Sequence, residues 1–446
     1  MAARNSAGTL DINIEDYRVR REYFGGILFF RPKARLLFVN EVAVEGFQVF
    51  LDVGQTADAV AEFSRRKAVS LDESARFYTL LVNQLKSATS SGLQYRDRIL
   101  PSELGVIESV PLSDRFLSAP VYFAWEITDQ CNFPCVYCST SAQLFNGGDP
   151  TTYSEQEAFD IANNIIQGDV FHVFFTGGEP LIVPYILKLS KHLLDAKVTI
   201  MIATNGSLVS DHIDELTALA EVHGRYFGLQ VKLDTIQGDR YKRLTGTSAA
   251  MMRRVTDAIE LLNSRNIPFV VQAGFTPDTR SDLQPMVHWL AGLSSCQHFN
   301  VNTLSRVGRA KRLCGLGLME WTTEEKTDFL HAIAKVKSVR SDFLSYSQLV
   351  NDWFPLVPPD RSGTIYDCKA GRMYLRLKSN GRLAPCNGNR DIEVGELRDK
   401  SINTVWHSTE LLNVRQHGLK CPLRIQAGND SSQLLRLSAG LELVIS

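Results

Sequence analysis

The chain is poor in cysteine, has almost no net charge and contains no long hydrophobic run. Its 446 residues include eight cysteines, and its formal net charge is −1. Apolar stretches such as VFHVFF and VTIMIA are far shorter than the ~18 residues of a membrane-spanning helix. The N-terminus MAARNSAGTLDINIEDY has no apolar segment typical of a secretory signal. We therefore expect a cytosolic protein that uses neither membrane nor nucleic acid as a partner.

Hydrophobic residues make up 44% of the chain and charged residues 22%, which is typical of a globular protein. The length allows two or three domains, each with its own core. In a reducing compartment, clustered cysteines are metal ligands or catalytic thiols more often than disulfides. The few cysteines are therefore candidate functional residues.

Residues 1–90 have the pattern of a small separate domain. Three short strand-like runs, YRVRREYF, GILFFRP and ARLLFV, are separated by Gly and Pro, and three helical stretches follow them. The last stretch begins at Ser70, and Glu73 follows three residues later, which is the spacing of a capping box. Three strands followed by three helices predict a compact winged-helix-like domain.

Residues 118–340 alternate between apolar strands and amphipathic helices. The runs VYFAWEI, VFHVFF, VTIMIAT, FGLQVKL, FVVQAGF and HFNVNTL predict strands, and stretches such as SEQEAFDIANNIIQ predict helices between them. The alternation predicts a parallel sheet, open or closed into a partial barrel, with reactive groups on the loops after the strands. We expect a linker at 91–117, a bridge at 341–360 and an irregular region with three cysteines at 361–446.

The stretch CNFPCVYC places Cys131, Cys135 and Cys138 directly after the first of these strands. Zinc sites usually combine two Cys-x2-Cys pairs around one ion, and no second pair lies beside this stretch. Three thiolates can instead hold a [4Fe–4S] cluster whose fourth iron is open to a small molecule. A structural zinc site and three buried, inert thiols are the alternatives.

The spacing Cys-x3-Cys-x2-Cys, with Tyr137 before the last cysteine, resembles the signature of the radical S-adenosylmethionine (SAM) enzymes. FFTGGEP resembles the GGE motif of that family, which meets the SAM amino group, and IATNGSL and KLDTIQGDRYKRLTG resemble the regions after its third and fourth strands. Lys232 departs from the family, which often has Ser two residues before Asp234. The resemblance implies these SAM-binding residues: Tyr137, Gly177, Gly178, Glu179, Thr204, Asn205, Asp234 and Arg243.

In that family the cluster cleaves SAM to a 5′-deoxyadenosyl radical, which abstracts hydrogen from an unactivated carbon. The resemblance implies an α/β fold with a partial (β/α)6 barrel. It also implies that Cys131, Cys135 and Cys138 are the catalytic cysteines and hold the SAM-binding [4Fe–4S] cluster. A partner such as flavodoxin or ferredoxin would supply electrons.

The C-terminal region resembles a SPASM or twitch domain, which carries auxiliary iron–sulfur clusters. Cys368 and Cys386 match the beginning of that pattern, and the following VGEL and INTVWHSTELLNVRQ resemble it too. After Cys421 the resemblance ends, because Ala427 stands where relatives have a cysteine and no further cysteine follows. The resemblance implies a small irregular Fe–S domain with one auxiliary [4Fe–4S] cluster at most, held by Cys368, Cys386 and Cys421.

Residues 1–90 resemble the peptide-recognition domain of enzymes that mature ribosomally made peptides, which binds a precursor's leader as an added strand. We therefore expect a radical SAM peptide maturase that forms a thioether or a C–C or C–O crosslink between side chains. The alternatives are a peptide epimerase, a SPASM enzyme that acts on a cofactor precursor or a protein side chain, and a peptide-binding scaffold without activity. A structural cap on the barrel is the alternative for residues 1–90.

Other polar or reactive residues receive simpler interpretations. Cys296 and Cys314 are expected to be buried structural thiols, and His172 a core residue within a strand. The segment GRAKR, from Gly308 to Arg312, is expected to be an exposed basic turn, and contact with SAM or a peptide carboxylate is the alternative.

Overall fold

The computed structural model describes residues 12–90, 116–304, 307–313, 318–337, 343–345, 370–388, 390–397 and 400–417. These residues fall into two compact units, one that ends at Ser118 and one that begins at Ala119. Most of the predicted linker and bridge lies outside the described residues. The same is true of Cys314, Cys368 and Cys421. The domain boundaries therefore stay predictions.

In the first unit, three antiparallel strands pair in the order β1–β2–β3, and three helices follow them in the chain. The elements are β1 (Tyr17–Glu22), β2 (Gly25–Phe30), β3 (Arg35–Val39), α1 (Glu41–Val53), α2 (Thr56–Lys67) and α3 (Leu71–Ser90). The Asn40 side chain begins α1 by accepting a hydrogen bond from the Ala43 amide at 2.9 Å. The predicted capping box is present: the Ser70 amide donates to the Glu73 carboxylate, and the Glu73 amide donates to the Ser70 hydroxyl.

The first unit has a hydrophobic core of its own, built from residues between positions 12 and 85. Aromatic rings connect its strands to its helices, with centroid distances of 5.3 Å from Tyr17 to Phe47 and 6.4 Å from Phe50 to Tyr78. The buried hydroxyl of Tyr78 donates to the Gly46 carbonyl at 2.8 Å, so the ring is buried without losing a hydrogen bond. The predicted domain of three strands and three helices is therefore confirmed.

The second unit is built on a mixed sheet that has ten strands among the described residues, in the order β12–β11–β10–β9–β8–β7–β4–β13–β14–β15. Its strands are β4 (Tyr122–Thr128), β7 (His172–Gly177), β8 (Thr199–Thr204), β9 (Phe227–Lys232), β10 (Phe269–Phe275), β11 (Cys296–Thr303), β12 (Leu344–Ser345), β13 (Tyr374–Leu377), β14 (Arg382–Ala384) and β15 (Gly395–Glu396). The short strands β5 (Gln130–Cys131) and β6 (Gln143–Leu144) form a separate pair. From β4 to β12 all neighbours pair in parallel. Each predicted strand is present, and the predicted partial (β/α)6 barrel is confirmed.

Helices cover the outside of the parallel strands. They are α4 (Glu155–Gln167), α5 (Ile186–Asp195), α6 (Ile213–His223), α7 (Gly238–Thr245), α8 (Ala249–Ser264), α9 (Leu283–Ala291) and α10 (Thr323–Lys337). Side chains on both faces of the parallel strands are largely buried, as is typical of such sheets. In β10, for example, every position except Gln272 is buried. No helix formed by the described residues is both long and apolar enough to cross a lipid bilayer.

The C-terminal region adds strands to the barrel sheet. β13 lies parallel to β4, with Arg376 beside Ala124, and β14 and β15 continue the sheet in antiparallel pairs. Two helices follow, α11 (Ile402–Trp406) and α12 (Thr409–His417). Asn164 of α4 accepts from the Ile402 amide at 2.8 Å and donates to the Lys400 carbonyl at 2.9 Å. The region predicted to be irregular is thus attached to the barrel by backbone pairing and by side chains.

Candidate active site

Residues 129–145, which we call the cysteine loop, follow β4 and close on themselves. The two ends of the loop pair as the short parallel strands β5 and β6. The Gln143 amide donates to the Asp129 carbonyl at 2.7 Å, and the Phe145 amide donates to the Cys131 carbonyl at 2.8 Å. These bonds fix the ends of the segment that carries the three cysteines.

Backbone amides of the cysteine loop donate to its sulfur atoms. The Phe133 amide lies 3.4 Å from Cys131 Sγ, and the Ala142 amide lies 3.4 Å from Cys138 Sγ. The hydroxyl of Thr140 is 3.2 Å from the same Cys138 sulfur. Hydrogen bonds to sulfur stabilise a thiolate and tune an iron–sulfur cluster, so the loop is built to hold thiolate sulfur.

The three thiols, all half-buried, influence one another electrostatically. Burial raises the pKa of Cys131 to about 12, and the nearby Glu179 carboxylate contributes to this shift. Burial, and then the charge of the Cys131 thiolate, raise the pKa of Cys135 still more. As thiolates these groups need a bound positive charge, which an iron–sulfur core supplies.

The donor set fits a cluster better than a single ion. Among the described residues, no three Cys, His, Asp or Glu side chains converge as they would around one metal ion. Cys131 and Cys138 nevertheless lie close enough to Cys135 to add to the rise in its pKa that burial causes. Three thiolates on one loop match the number of ligands of a [4Fe–4S] cluster with one open iron, and they lack the fourth ligand of a structural zinc site.

The two glycines of GGEP allow the loop after β7 to lie directly against the cysteine loop. Gly177 has a φ of 122°, and a Cβ at Gly178 would lie 1.7 Å from the Gln130 carbonyl oxygen. The Gly178 amide donates to the Thr128 carbonyl and the Glu179 amide donates to the Gln130 carbonyl, both at 2.8 Å. These positions therefore require glycine for packing between the loops.

The Glu179 carboxylate is buried and binds the loop after β8. It accepts from the Thr204 hydroxyl at 2.7 Å, the Asn205 amide at 2.7 Å and the Leu181 amide at 3.1 Å. Burial raises the pKa of Glu179 to about 7 despite these donors. In this structure the carboxylate holds the chain's own loops, and its predicted contact with the SAM amino group stays a prediction.

Asn205 connects the loop after β8 to the cysteine loop. Its amide group donates to the Asn132 side chain at 2.7 Å and lies 3.9 Å from Cys131 Sγ. Its side-chain oxygen accepts from the Ser207 amide at 2.9 Å, and the Asn132 amide group donates to the Ser207 hydroxyl at 2.9 Å. Asn205 thus lies beside the first cysteine, and SAM binding by Thr204 and Asn205 stays a prediction.

Asp234, Tyr137 and Lys232 form a polar group beside the second and third cysteines. The Tyr137 hydroxyl donates to Asp234, whose carboxylate also pairs with Lys232 Nζ at 2.7 Å and accepts from the Gly274 amide at 2.6 Å. Lys232 Nζ lies 5.4 Å from the centre of the Tyr137 ring. The departure at Lys232 therefore places a cation at the site. Its charge partly offsets the rise that burial causes in the pKa of Cys135.

Arg243 and the basic turn lie differently from what the sequence predicts. The Arg243 side chain is 55% exposed and pairs with Asp278, so its role in binding SAM stays a prediction. Residues 308–313 form a 3-10 turn in which Lys311 is exposed, as expected. The expectation of an exposed turn is wrong for Gly308 and Arg309, which lie against the cysteine loop.

The C-terminal region brings a buried ion-pair network to the same place. Glu126 of β4 pairs with Arg376 of β13 at 2.5 Å and with Arg390 at 2.7 Å. The Asn387 side chain accepts from Arg376 and from the Tyr374 hydroxyl. No local sequence pattern signals this network, because its members belong to segments about 250 residues apart.

Of the predicted auxiliary ligands, Cys386 is half-buried and follows β14, whereas Cys368 and Cys421 lie outside the described residues. Burial raises the pKa of Tyr374, and the nearby Cys386 adds to this rise, which places the Cys386 thiol beside the ion-pair network. The proposed set of three ligands therefore stays a prediction. Cys296 is fully buried in β11, as expected for a structural thiol.

A cavity of about 520 Å³ lies where three segments meet. Its walls come from the end of the cysteine loop, from the basic turn and from the C-terminal region. The lining residues include Ser139, Thr140, Lys311, Lys378 and Arg390. The cavity is large enough for a substrate side chain and opens next to the segment that carries Cys138.

Comparisons with known proteins agree with this site. The profile of the radical SAM superfamily matches residues 125–290, and that of SPASM, an iron–sulfur cluster-binding domain, matches residues 368–424. The chain is 30% identical over 314 residues to the mycofactocin maturase MftC of Mycolicibacterium smegmatis, covering 67% of this chain and 73% of the relative. It is 29% identical over 303 residues to the AdoMet-dependent heme synthase of Methanosarcina barkeri, and this match covers 66% of this chain and 84% of that relative.

A solved structure matches most of the chain. The crystal structure of Streptococcus suis SuiB bound to the precursor peptide SuiA has a TM-score of 0.63 and 16% sequence identity, and the match covers 92% of this chain and 93% of SuiB. At this identity the likeness shows the fold. Together with the family profiles and the 30% identical relative, it leads to one conclusion: this chain belongs to the radical SAM enzymes that carry a SPASM domain.

Proposed function

We propose that this radical SAM enzyme modifies a ribosomally made precursor peptide, which it binds through residues 1–90. One observation carries the proposal: the first unit has its own core and a three-stranded sheet. In this sheet β2 lies at the centre, and β1 and β3 are the outer strands. An extended peptide segment can add to such an edge through backbone hydrogen bonds.

The comparisons support a peptide as the substrate. SuiB, whose fold this chain shares, was solved with a precursor peptide bound, and the 30% identical relative is a maturase. The N-terminal strands and helices that would bind the leader lie outside the match to the radical SAM profile, which begins at residue 125. This additional unit therefore suits a role in recognising the substrate.

The family uses a [4Fe–4S] cluster and SAM. Cys131, Cys135 and Cys138 would hold that cluster, and Cys368, Cys386 and Cys421 an auxiliary cluster. When bound, the first cluster and SAM supply a 5′-deoxyadenosyl radical that takes a hydrogen atom from an unactivated carbon, and an auxiliary cluster accepts a further electron.

The chain's own residues would orient and shield this chemistry. Glu179 holds the loop after β8 in place through Thr204 and Asn205, and Asn205 reaches from that loop to the cysteine loop. The hydrogen bond from Tyr137 to Asp234 ties the cysteine loop to the loop after β9. Connected in this way, the loops after β4, β7, β8 and β9 form a rigid rim above the barrel, as a reactive radical requires.

We propose a crosslink, either a thioether or a C–C or C–O bond between side chains, as the product. Such a bond removes two hydrogens from the peptide, one as a hydrogen atom and the other as a proton and an electron. SAM would supply the acceptor of the hydrogen atom, and the auxiliary cluster that Cys368, Cys386 and Cys421 would hold could take the electron. An electron donor such as flavodoxin or ferredoxin would start each cycle. The peptide side chain would enter through the cavity beside the cysteine loop.

The test is to incubate the reconstituted enzyme with SAM, a reductant and the short peptides encoded next to its gene. A crosslink lowers the peptide mass by two hydrogen atoms. Epimerisation would leave the mass unchanged in H2O and would add one deuterium in D2O. Cys135→Ala should abolish SAM cleavage, whereas deletion of residues 1–90 should abolish peptide binding and leave SAM cleavage without peptide intact. A deletion variant that still modifies the peptide at the wild-type rate would contradict the proposed role of the first unit.

A further inference from the structure

We propose that Arg309 and Arg390 form an arginine clamp that holds the cysteine loop and, by its positive charge, raises the reduction potential of the cluster bound there. The inference rests on the proposed ligands Cys131, Cys135 and Cys138. It concerns the chain's own residues toward that cluster and is independent of which substrate the enzyme uses.

Arg309, in the turn after β11, bonds to the cysteine loop at three points. Its amide donates to the Cys138 carbonyl at 2.9 Å, its Nε donates to the Cys135 carbonyl at 2.9 Å, and one terminal nitrogen donates to the Ala142 carbonyl at 2.6 Å. The preceding Gly308, at a φ of 59°, permits this approach, because a Cβ there would lie 2.4 Å from the Cys138 carbonyl oxygen. The planar guanidinium therefore bridges the Cys135 and Ala142 carbonyls, and the backbone amide of Arg309 holds the Cys138 carbonyl between them.

Arg390 approaches the same loop from the C-terminal region. One terminal nitrogen donates to the Ser139 carbonyl at 3.3 Å, and the other pairs with Glu126 at 2.7 Å. The guanidinium is only 16% exposed, and this burial lowers the pKa of Arg390, while the charges of Glu126 and of the Cys138 thiolate oppose that shift. The two arginines thus hold the end of the cysteine loop from two segments that are separate in sequence.

The arginines at the Cys138 end of this loop have few carboxylate partners among the described residues. Arg309 bonds only to carbonyl oxygens within the part of the chain that the structure describes, and its second terminal nitrogen is buried there without a partner. Arg376 and Arg390 share one carboxylate, that of Glu126. A cation buried without a carboxylate is costly unless another anion lies nearby. The thiolates of the bound cluster are that anion.

The effect on the cluster follows from its charge. A cluster held by three thiolates is anionic and becomes more so on reduction, so each nearby cation favours the reduced form. The geometry of the cysteine loop depends on the two hydrogen bonds that the Arg309 guanidinium donates, whereas the reduction potential of the cluster depends on the positive charge of Arg309. Lysine retains the charge but cannot span two carbonyls, and glutamine loses both properties.

The experiment compares Arg309→Gln, Arg309→Lys and the control Arg312→Gln, which removes the same charge from an exposed position in the same turn. Each variant is reconstituted and titrated anaerobically, without peptide, following the EPR signal that changes when SAM is added. We expect Arg309→Gln to make cluster reduction about tenfold less favourable, a shift of about 59 mV for one electron. Arg309→Lys should keep the wild-type potential but retain less iron per chain, and Arg312→Gln should match the wild type in both.

An unchanged potential in Arg309→Gln would overturn the proposal, and so would an equal shift in Arg312→Gln. If Arg309→Gln does not retain a cluster, Arg390→Gln provides the second test, since Arg376 still neutralises Glu126 in that variant. Its potential should also fall, and a wild-type value would refute the clamp. Failure of the proposed peptide chemistry would leave these titrations unaffected, because they need no substrate.

Discussion

Replacing Glu126 by glutamine tests how firmly the C-terminal strands are held on the barrel. Glu126 is the carboxylate on which two guanidinium groups of the C-terminal region converge, and Arg376 Nε lies 2.6 Å from its Oε1. Glutamine keeps the shape of the side chain but removes its charge. Arg376 and Arg390 would then share no carboxylate in the described part of the chain.

The magnitude follows from the burial of the pair. The side chains of Glu126 and Arg376 are 2% and 4% exposed, and removing one partner of a buried pair costs about 3–5 kcal/mol. At about 2–4 °C per kcal/mol, the melting temperature should fall by roughly 6–20 °C. The pair of Glu155 and Lys188 is a matched contrast, since these side chains are 48% and 69% exposed and such a pair contributes about 0–1 kcal/mol.

Thermal unfolding measured by tryptophan fluorescence is the assay. Every tryptophan of the chain lies after residue 118, so the signal reports on the second unit. Glu155→Gln should lower the melting temperature by at most about 4 °C. Combining Glu126→Gln with Arg376→Met should restore part of the loss, because one uncompensated cation is removed. A loss in Glu126→Gln no larger than that in Glu155→Gln would refute the reasoning.

Three further outcomes are expected. Gly178→Ala should prevent cluster binding, measured as iron per chain, because its Cβ would lie 1.7 Å from a backbone oxygen of the cysteine loop. The control Gly148→Ala, in which the atom nearest to the new Cβ would lie at 3.5 Å, should bind iron normally. Tyr78→Phe should destabilise the first unit by about 0.5–1.5 kcal/mol in urea unfolding, since it removes the hydrogen bond from the Tyr78 hydroxyl to the Gly46 carbonyl, and should not change iron content. Burial lowers the pKa of His172 to about 4. The stability that the neutral imidazole contributes above pH ~6.5 should therefore be lost as the pH falls through about 4, by up to ~3 kcal/mol. His172→Leu should abolish this dependence on pH.

The barrel and the cysteine site were predictable because their signals are local. Each parallel strand is a continuous apolar run, so its position can be read from a few neighbouring residues. The three cysteines and the two glycines of GGEP lie within short motifs whose spacing itself reflects the chemistry. The structure brings these motifs together because each follows a strand that ends at the same edge of the sheet.

The remaining features depend on contacts between distant segments. β13 is a run of four residues, too short to distinguish from a turn, and it becomes a strand because β4 offers a free edge. Arg309 lies in a basic run like many exposed ones, and its burial follows from the position of the cysteine loop. The pairing of Glu126 with Arg376 leaves no local pattern that a sequence could show.

The position of β13 also sets an order of events during synthesis. The cysteine loop is translated about 250 residues before β13, the strand that pairs with β4 and brings Arg376 to Glu126. At ~5–20 residues per second, the ribosome needs roughly 12–50 s to produce the intervening chain. Through that interval the first barrel strand has an open edge and a carboxylate without its counter-ion. Delivery of iron and sulfide to a finished site therefore has to follow the synthesis of nearly the whole chain.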